Sequence, residues 1–187
     1  MKETTRKLTL SAMFIAIGIL LPFLTGQIPQ IGSMMLPMHI PVFLCGLICG
    51  WQYGAAVGFV LPLLRSMIFG MPVMFPMATA MALELMTYGL VAGLLYGISR
   101  HQCIIALYRS MVAAMLGGRV IFGLAMLVFT GIQGGGYTWS AYFASIFLQA
   151  IPGIIIQLTL IPAIMLALHK TGLVTFKRHS ASVKNEG

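Results

Sequence analysis

The stretch MFPMATAMALELMTYGLVAGLLYGI, residues Met74–Ile98, is apolar almost without interruption and carries a single charged side chain, Glu84. At ~1.5 Å per residue, a helix of that length crosses the ~30 Å hydrocarbon core of a bilayer. Inside lipid every backbone N–H and C=O needs an internal partner, which a helix supplies within one segment. The stretch therefore predicts a transmembrane helix, and its neighbours repeat the pattern.

Working outward, six candidate spans emerge: Leu8–Leu24, Leu36–Cys49, Tyr53–Phe69, Met74–Ile98, Ile104–Thr130 and Tyr142–Leu168. The breaks carry turn chemistry, including Thr25-Gly26-Gln27-Ile28-Pro29, Gly50-Trp51-Gln52, Gly70-Met71-Pro72 and the glycine run Gly134-Gly135-Gly136. The second span is short and holds Pro37 and Pro41, which kink or disfavour a helix, so a re-entrant hairpin with the third is the alternative there. The fold class predicted is an all-α membrane protein of six helices forming one integral membrane domain over residues 1–187, with residues 169–187 as a basic tail.

Composition agrees. The chain is 59% hydrophobic and only 7% charged, against roughly 25% charged in a soluble domain. Its net charge of +8 does not point to nucleic acid, because the basic residues are not interleaved with aromatics on a polar domain. They mark topology instead. Lys2, Arg6 and Lys7 precede the first span, Arg100 and Arg109 flank the fourth connection, and Lys170, Lys177, Arg178 and Lys184 follow the sixth. The alternate connections, Gly26–Met35, Gly70–Val73 and Gly131–Ala141, have no lysine or arginine, so the positive-inside rule predicts that both termini are cytoplasmic. The basic start followed by an apolar run resembles a signal peptide, but the run extends to Leu24 with no small-x-small site after it, so it reads as a retained helix.

Ionisable groups within spans are expensive and are functional candidates by default. Here they are Arg65, Glu84 and Arg119, with His39, Gln149 and Gln157 as uncharged company. Counting from the outer end of each span places His39 and Arg65 within about two turns of the outer face, Gln149 about 10 Å down, and Glu84 and Arg119 both roughly 15 Å down. Only Gln157 falls in the inner half. The set suggests a cavity open to the outside. With two arginines and one glutamate it is net positive and suits a ligand bearing a carboxylate or phosphate.

Bland readings stand beside these. Glu84 and Arg119 have the matched depth of a structural ion pair; Arg65 is placed to snorkel to headgroups; His39 sits where it can satisfy carbonyls freed by its flanking prolines; Gln149 and Gln157 share a helical face suited to interhelical hydrogen bonds. Tyr137, Trp139 and Tyr142, beside flexible glycines, read either as an interfacial aromatic belt or as a lid over the cavity. Small residues one turn apart, Ala12/Ala16, Gly46/Gly50 and Gly54/Gly58, allow close helix approach within the chain or against another protein.

Much chemistry is excluded. The acidic residues are Glu3, Glu84 and Glu186, and there is no aspartate. No Ser-His-Asp triad can be assembled, and no G-x-x-x-x-G-K-[ST], H-E-x-x-H or G-x-S-x-G motif occurs. Cys45, Cys49 and Cys103 lie in or beside apolar runs and read as small buried residues rather than a zinc site or a disulfide framework. Neither an enzyme nor a bound metal or cofactor is expected. The halves show no internal repeat of the kind alternating-access carriers use.

Ala12-Met-Phe-Ile-Ala16, then Leu36-Pro37-Met38-His39-Ile40-Pro41-Val42, Cys45-Gly46, the glycines Gly50, Gly54 and Gly58, and Pro62-Leu63-Leu64-Arg65 together resemble the substrate-binding S components of energy-coupling factor (ECF) vitamin transporters. The resemblance covers nearly the whole chain. It implies a vitamin-capture subunit in a bacterial plasma membrane, working with a transmembrane coupling protein and two cytoplasmic ATPases. It also implies that Ala12 and Ala16 dock on the coupling protein. The stretch Met81–Val91 looks most like members assigned to pantothenate, and members assigned to α-ribazole, pyridoxine or folate are similar. The expected site is His39, Arg65, Glu84, Arg119 and Gln149, with Tyr137 and Trp139 as lid residues. A stand-alone carrier with Glu84 as proton relay is the alternative from another class.

Overall fold

The computed structural model describes residues 2–24, 37–99, 103–132 and 151–170. These form six helices and no strand: α1 (Lys2–Leu24), α2 (His39–Cys49), α3 (Trp51–Phe69), α4 (Thr79–Ile98), α5 (Ile104–Ile132) and α6 (Ile151–Lys170). A π-helical turn, Met74–Ala78, leads into α4. Five of the helical stretches are long and apolar enough to cross a membrane, and α2 is a shorter apolar helix.

The boundaries differ from expectation for local reasons. The first helix begins at Lys2, six residues before the apolar run, because Lys2–Lys7 is itself compatible with helix and only its solvent changes. The predicted break at Gly50-Trp51-Gln52 narrows to one residue. Gly50 has φ 103 and ψ 166, a conformation open essentially to glycine alone, so the chain leaves α2 and enters α3 across that single position. With Pro37 just ahead of it, α2 spans only 11 residues, about 16 Å of rise, roughly half the hydrocarbon thickness.

That short helix is the core. Every residue of α2 except Ile48 is buried, and α1, α3 and α4 pack around it, with α6 touching it more lightly. Helix α1 runs antiparallel to it: Ser11 Oγ lies 3.5 Å from Cys45 Sγ, and Gly18 lies against Pro41 and Leu61. Helix α4 runs parallel to it, with Gly46 against Gly89 and Phe43 against Tyr88.

Lipid tails are as apolar as leucine, so helix association in a bilayer rests on close packing rather than on expulsion of water. Glycines supply that closeness here. A Cβ on Gly46 would stand 2.6 Å from the Gly89 carbonyl oxygen, and one on Gly54 would stand 2.5 Å from Gly46 Cα. The small-residue spacing at Gly46, Gly54 and Gly58 is thus used within the chain, along a seam joining α2, α3 and α4. Ala12 and Ala16 are different: both are exposed on α1.

A second, smaller apolar cluster, Ala80, Phe122, Ala125 and Met126, joins α4 to α5. The outer surface carries large apolar side chains such as Leu8, Leu20, Met67, Ile98, Leu116 and Val128, the composition expected where lipid is the solvent.

Candidate functional site

Three of the expected residues meet at Glu84. The carboxylate sits one turn into α4 and is 2% exposed. Its Oε1 lies 3.3 Å from Nη1 of Arg119 on α5 and 3.9 Å from Nε2 of His39 at the start of α2. The same oxygen accepts a 2.9 Å hydrogen bond from the Tyr88 hydroxyl. Glu84 and Tyr88 are four residues apart and therefore lie on one face of α4.

Local sequence builds this junction. His39 opens α2 and is fully buried; its ring meets that of Tyr88 with centroids 5.1 Å apart at 56°. Tyr88 also stacks on Phe43, one turn along α2, at 5.1 Å and 23°. Gly118 is what allows α5 so close. A Cβ there would collide with the Tyr88 ring, so the glycine before Arg119 lets the guanidinium reach the carboxylate.

An isolated carboxylate in hydrocarbon is costly, and pairing with Arg119 offsets that cost only partly. More informative is what the pair leaves over. Nε and Nη2 of Arg119 and both ring nitrogens of His39 are buried with no hydrogen-bond partner among the described residues. His39 makes no hydrogen bond to a backbone carbonyl among the described residues. On α6, Gln157 is 1% exposed and its Nε2 is likewise unpartnered among the described residues. Buried donors in native structures are nearly always satisfied. Around the Glu84 ion pair, Nε and Nη2 of Arg119 and the ring nitrogens of His39 are thus left without a hydrogen-bond partner among the described residues.

Arg65 stands apart. Gly58 packs at Leu85 and Gly54 at Gly89, an antiparallel register that sets Arg65 level with Ala78, about 9 Å along α4 from Glu84. Its Nε donates to the Met71 carbonyl at 3.2 Å, and Ser66 Oγ donates to the Pro72 carbonyl at 2.6 Å, so both side chains tie the reversal between α3 and the π-turn. The Arg65 Nη1 is buried without a partner among the described residues. Gln149, Tyr137 and Trp139 lie outside the described residues. Among the described residues no three His, Cys, Asp or Glu side chains are grouped as metal ligands would be.

Tyr88 and Phe43 were not expected at the junction. The i, i+4 spacing from Glu84 was a usable signal for Tyr88. Phe43 was not findable from the chain alone, since its role depends on α2 and α4 running parallel.

Six apolar helices among the described residues, with an ion pair set between α4 and α5 inside the apolar segments, define a multi-pass membrane protein. The sequence matches the family model for the ECF transporter substrate-specific component over residues 6–165, from the first turns of α1 to near the end of α6. The chain belongs to that family, whose members are substrate-binding components of transporters rather than enzymes. No curated protein and no solved structure matches it at a significant level.

Proposed function

We propose that this S component captures a small carboxylate-bearing vitamin, with pantothenate the best candidate, from outside the cell for ATP-driven uptake. The observation that carries the reading is that Nε and Nη2 of Arg119 are buried without a partner among the described residues, as are the ring nitrogens of His39. Arg119 grips the carboxylate, Glu84 orients that arginine, and His39 and Gln149 supply further hydrogen bonds to the ligand. Arg65 is the second cation, nearer the mouth, and Tyr137 and Trp139 cover the bound vitamin.

In this reading both termini face the cytoplasm of a bacterial cell. Ala12 and Ala16, exposed on α1, dock on a transmembrane coupling protein, and two cytoplasmic ATPases supply the energy. The missing phosphate-loop motif fits such a division of labour.

The test is thermal unfolding of the purified protein against a panel of pantothenate, α-ribazole, pyridoxine and folate. A ligand held only by the folded state at a hundred times its Kd adds about 2.7 kcal/mol of stability. Stabilisation by pantothenate alone supports the substrate; stabilisation by another member transfers the role to that vitamin. Uptake by the lone chain in liposomes under a proton gradient alone would overturn the S-subunit reading and make Glu84 a proton relay.

A further inference from the structure

We infer that Tyr88 is a positioning residue: its hydroxyl holds Glu84 on one prong of Arg119 and thereby keeps the side-on edge of the guanidinium open for a ligand carboxylate. The inference rests on the reading of Arg119 as a ligand-binding group and adds what makes that arginine available.

An arginine and a carboxylate in a site of low dielectric are strongest as a bidentate pair, two parallel N–H···O bonds. Glu84 and Arg119 do not form one. Their contact is Nη1 to Oε1 at 3.3 Å, while Nε and Nη2 have no partner among the described residues. Those two nitrogens share one edge of the planar guanidinium and present their hydrogens side by side, matched to the two oxygens of a carboxylate.

A neighbour on its own helix holds Glu84 back from that edge. Tyr88 donates to the same Oε1 at 2.9 Å, a shorter contact than the arginine's. The phenol is hindered from following a moving carboxylate, because its ring packs against His39 and Phe43 and has α5 against it at Gly118. Glu84 is thus tethered from its own helix, one turn away. Without the tether the carboxylate is free to rotate onto Nε and Nη2, where it takes the place of the ligand's own oxyanion. A planar carboxylate suits this edge better than a hydroxyl, which offers one acceptor atom.

Tyr88→Phe removes one oxygen and keeps the ring stack. In protein labelled with ¹⁵N-arginine, the Arg119 Nε–H signal, assigned through its loss in Arg119→Lys, is expected to sit upfield in the ligand-free native protein. It should move downfield in Tyr88→Phe as Glu84 closes on it, and return in Tyr88→Phe/Glu84→Gln. An unmoved signal in Tyr88→Phe overturns the inference, as does a downfield, hydrogen-bonded signal in the ligand-free native protein, a reading that needs only the assignment variant and not Tyr88→Phe.

Pantothenate supplies the second arm. Tyr88→Phe should weaken it by about tenfold, the size of one hydrogen bond to a charged group, while leaving its alcohol analogue, which lacks the carboxylate, unaffected. Loss of pantothenate affinity in Arg119→Ala with full affinity in Tyr88→Phe overturns the tether and spares the site. No heat from pantothenate with native protein sinks the substrate reading, and the arginine signal still decides the role of Tyr88.

Discussion

Replacing Gly89 with alanine puts a methyl group where the backbone of α3 already stands. The added Cβ would overlap the Gly54 carbonyl carbon and oxygen and stand 2.8 Å from Ala55 N. These are main-chain atoms, so no rotamer change relieves the clash, and α3 and α4 must move apart. Overpacking of this kind costs about 1–3 kcal/mol, occasionally more. A radial gap of ~0.5–1 Å forfeits a quarter to a half of each dispersion contact across the opened seam. Because the seam also carries Gly46 and Gly54, the upper end applies, about 3 kcal/mol. Gly97 is the control. It lies on the same helix with nothing within 4 Å of an added Cβ, so Gly97→Ala should stabilise α4 by about 0.4–1 kcal/mol through reduced freedom of the unfolded chain. Reversible unfolding in mixed micelles measures both. The two variants should differ by about 4 kcal/mol with opposite signs relative to native protein. Equal stability of Gly89→Ala and Gly97→Ala would refute the close-packed seam.

Other consequences follow from the same geometry. Arg119→Ala should weaken pantothenate binding by a few kcal/mol, on the order of a hundredfold or more, since it removes the charged donor and strands Glu84; titration calorimetry showing unchanged affinity would make the arginine purely structural. Ala12→Trp combined with Ala16→Trp should abolish uptake by the assembled transporter and leave vitamin binding by the isolated chain intact, and co-purification of the coupling protein with the double variant would rule out that docking face. Gly50→Ala should destabilise the protein by about 1–3 kcal/mol through backbone strain alone, since φ is 103 there and nothing lies within 4 Å of an added Cβ; a native unfolding midpoint would show that the chain reverses at Gly50 without the strained conformation.

Membrane character, helix number and the identity of the scarce buried polar groups were legible along the chain because each depends on local composition. Long apolar runs must become helices wherever lipid offers no partner for the backbone, whatever their neighbours do. The same logic singled out Glu84 and Arg119, whose matched depth follows from counting residues. Arg65 shows where counting stops: depth placed it in the same outer half, but the α3–α4 register turns it to the Met71 carbonyl.

The small-residue pairs make the division clearer. Ala12/Ala16 and Gly54/Gly58 have identical spacing, yet one pair is exposed and the other buried in a seam with α4. Spacing sets which side of a helix a residue occupies, and packing alone decides what faces that side. Likewise the chain announced a glutamate, a histidine and an arginine inside the membrane. Only the parallel course of α2 and α4, with α5 drawn in at Gly118, brought the histidine and the arginine to one oxygen of the glutamate beside Tyr88. Burial of single residues is written in the sequence because transfer into lipid is a local free energy. The pairing of His39, Glu84 and Arg119 is not, because it joins residues from three helices whose relative placement is set by contacts distributed over the whole bundle.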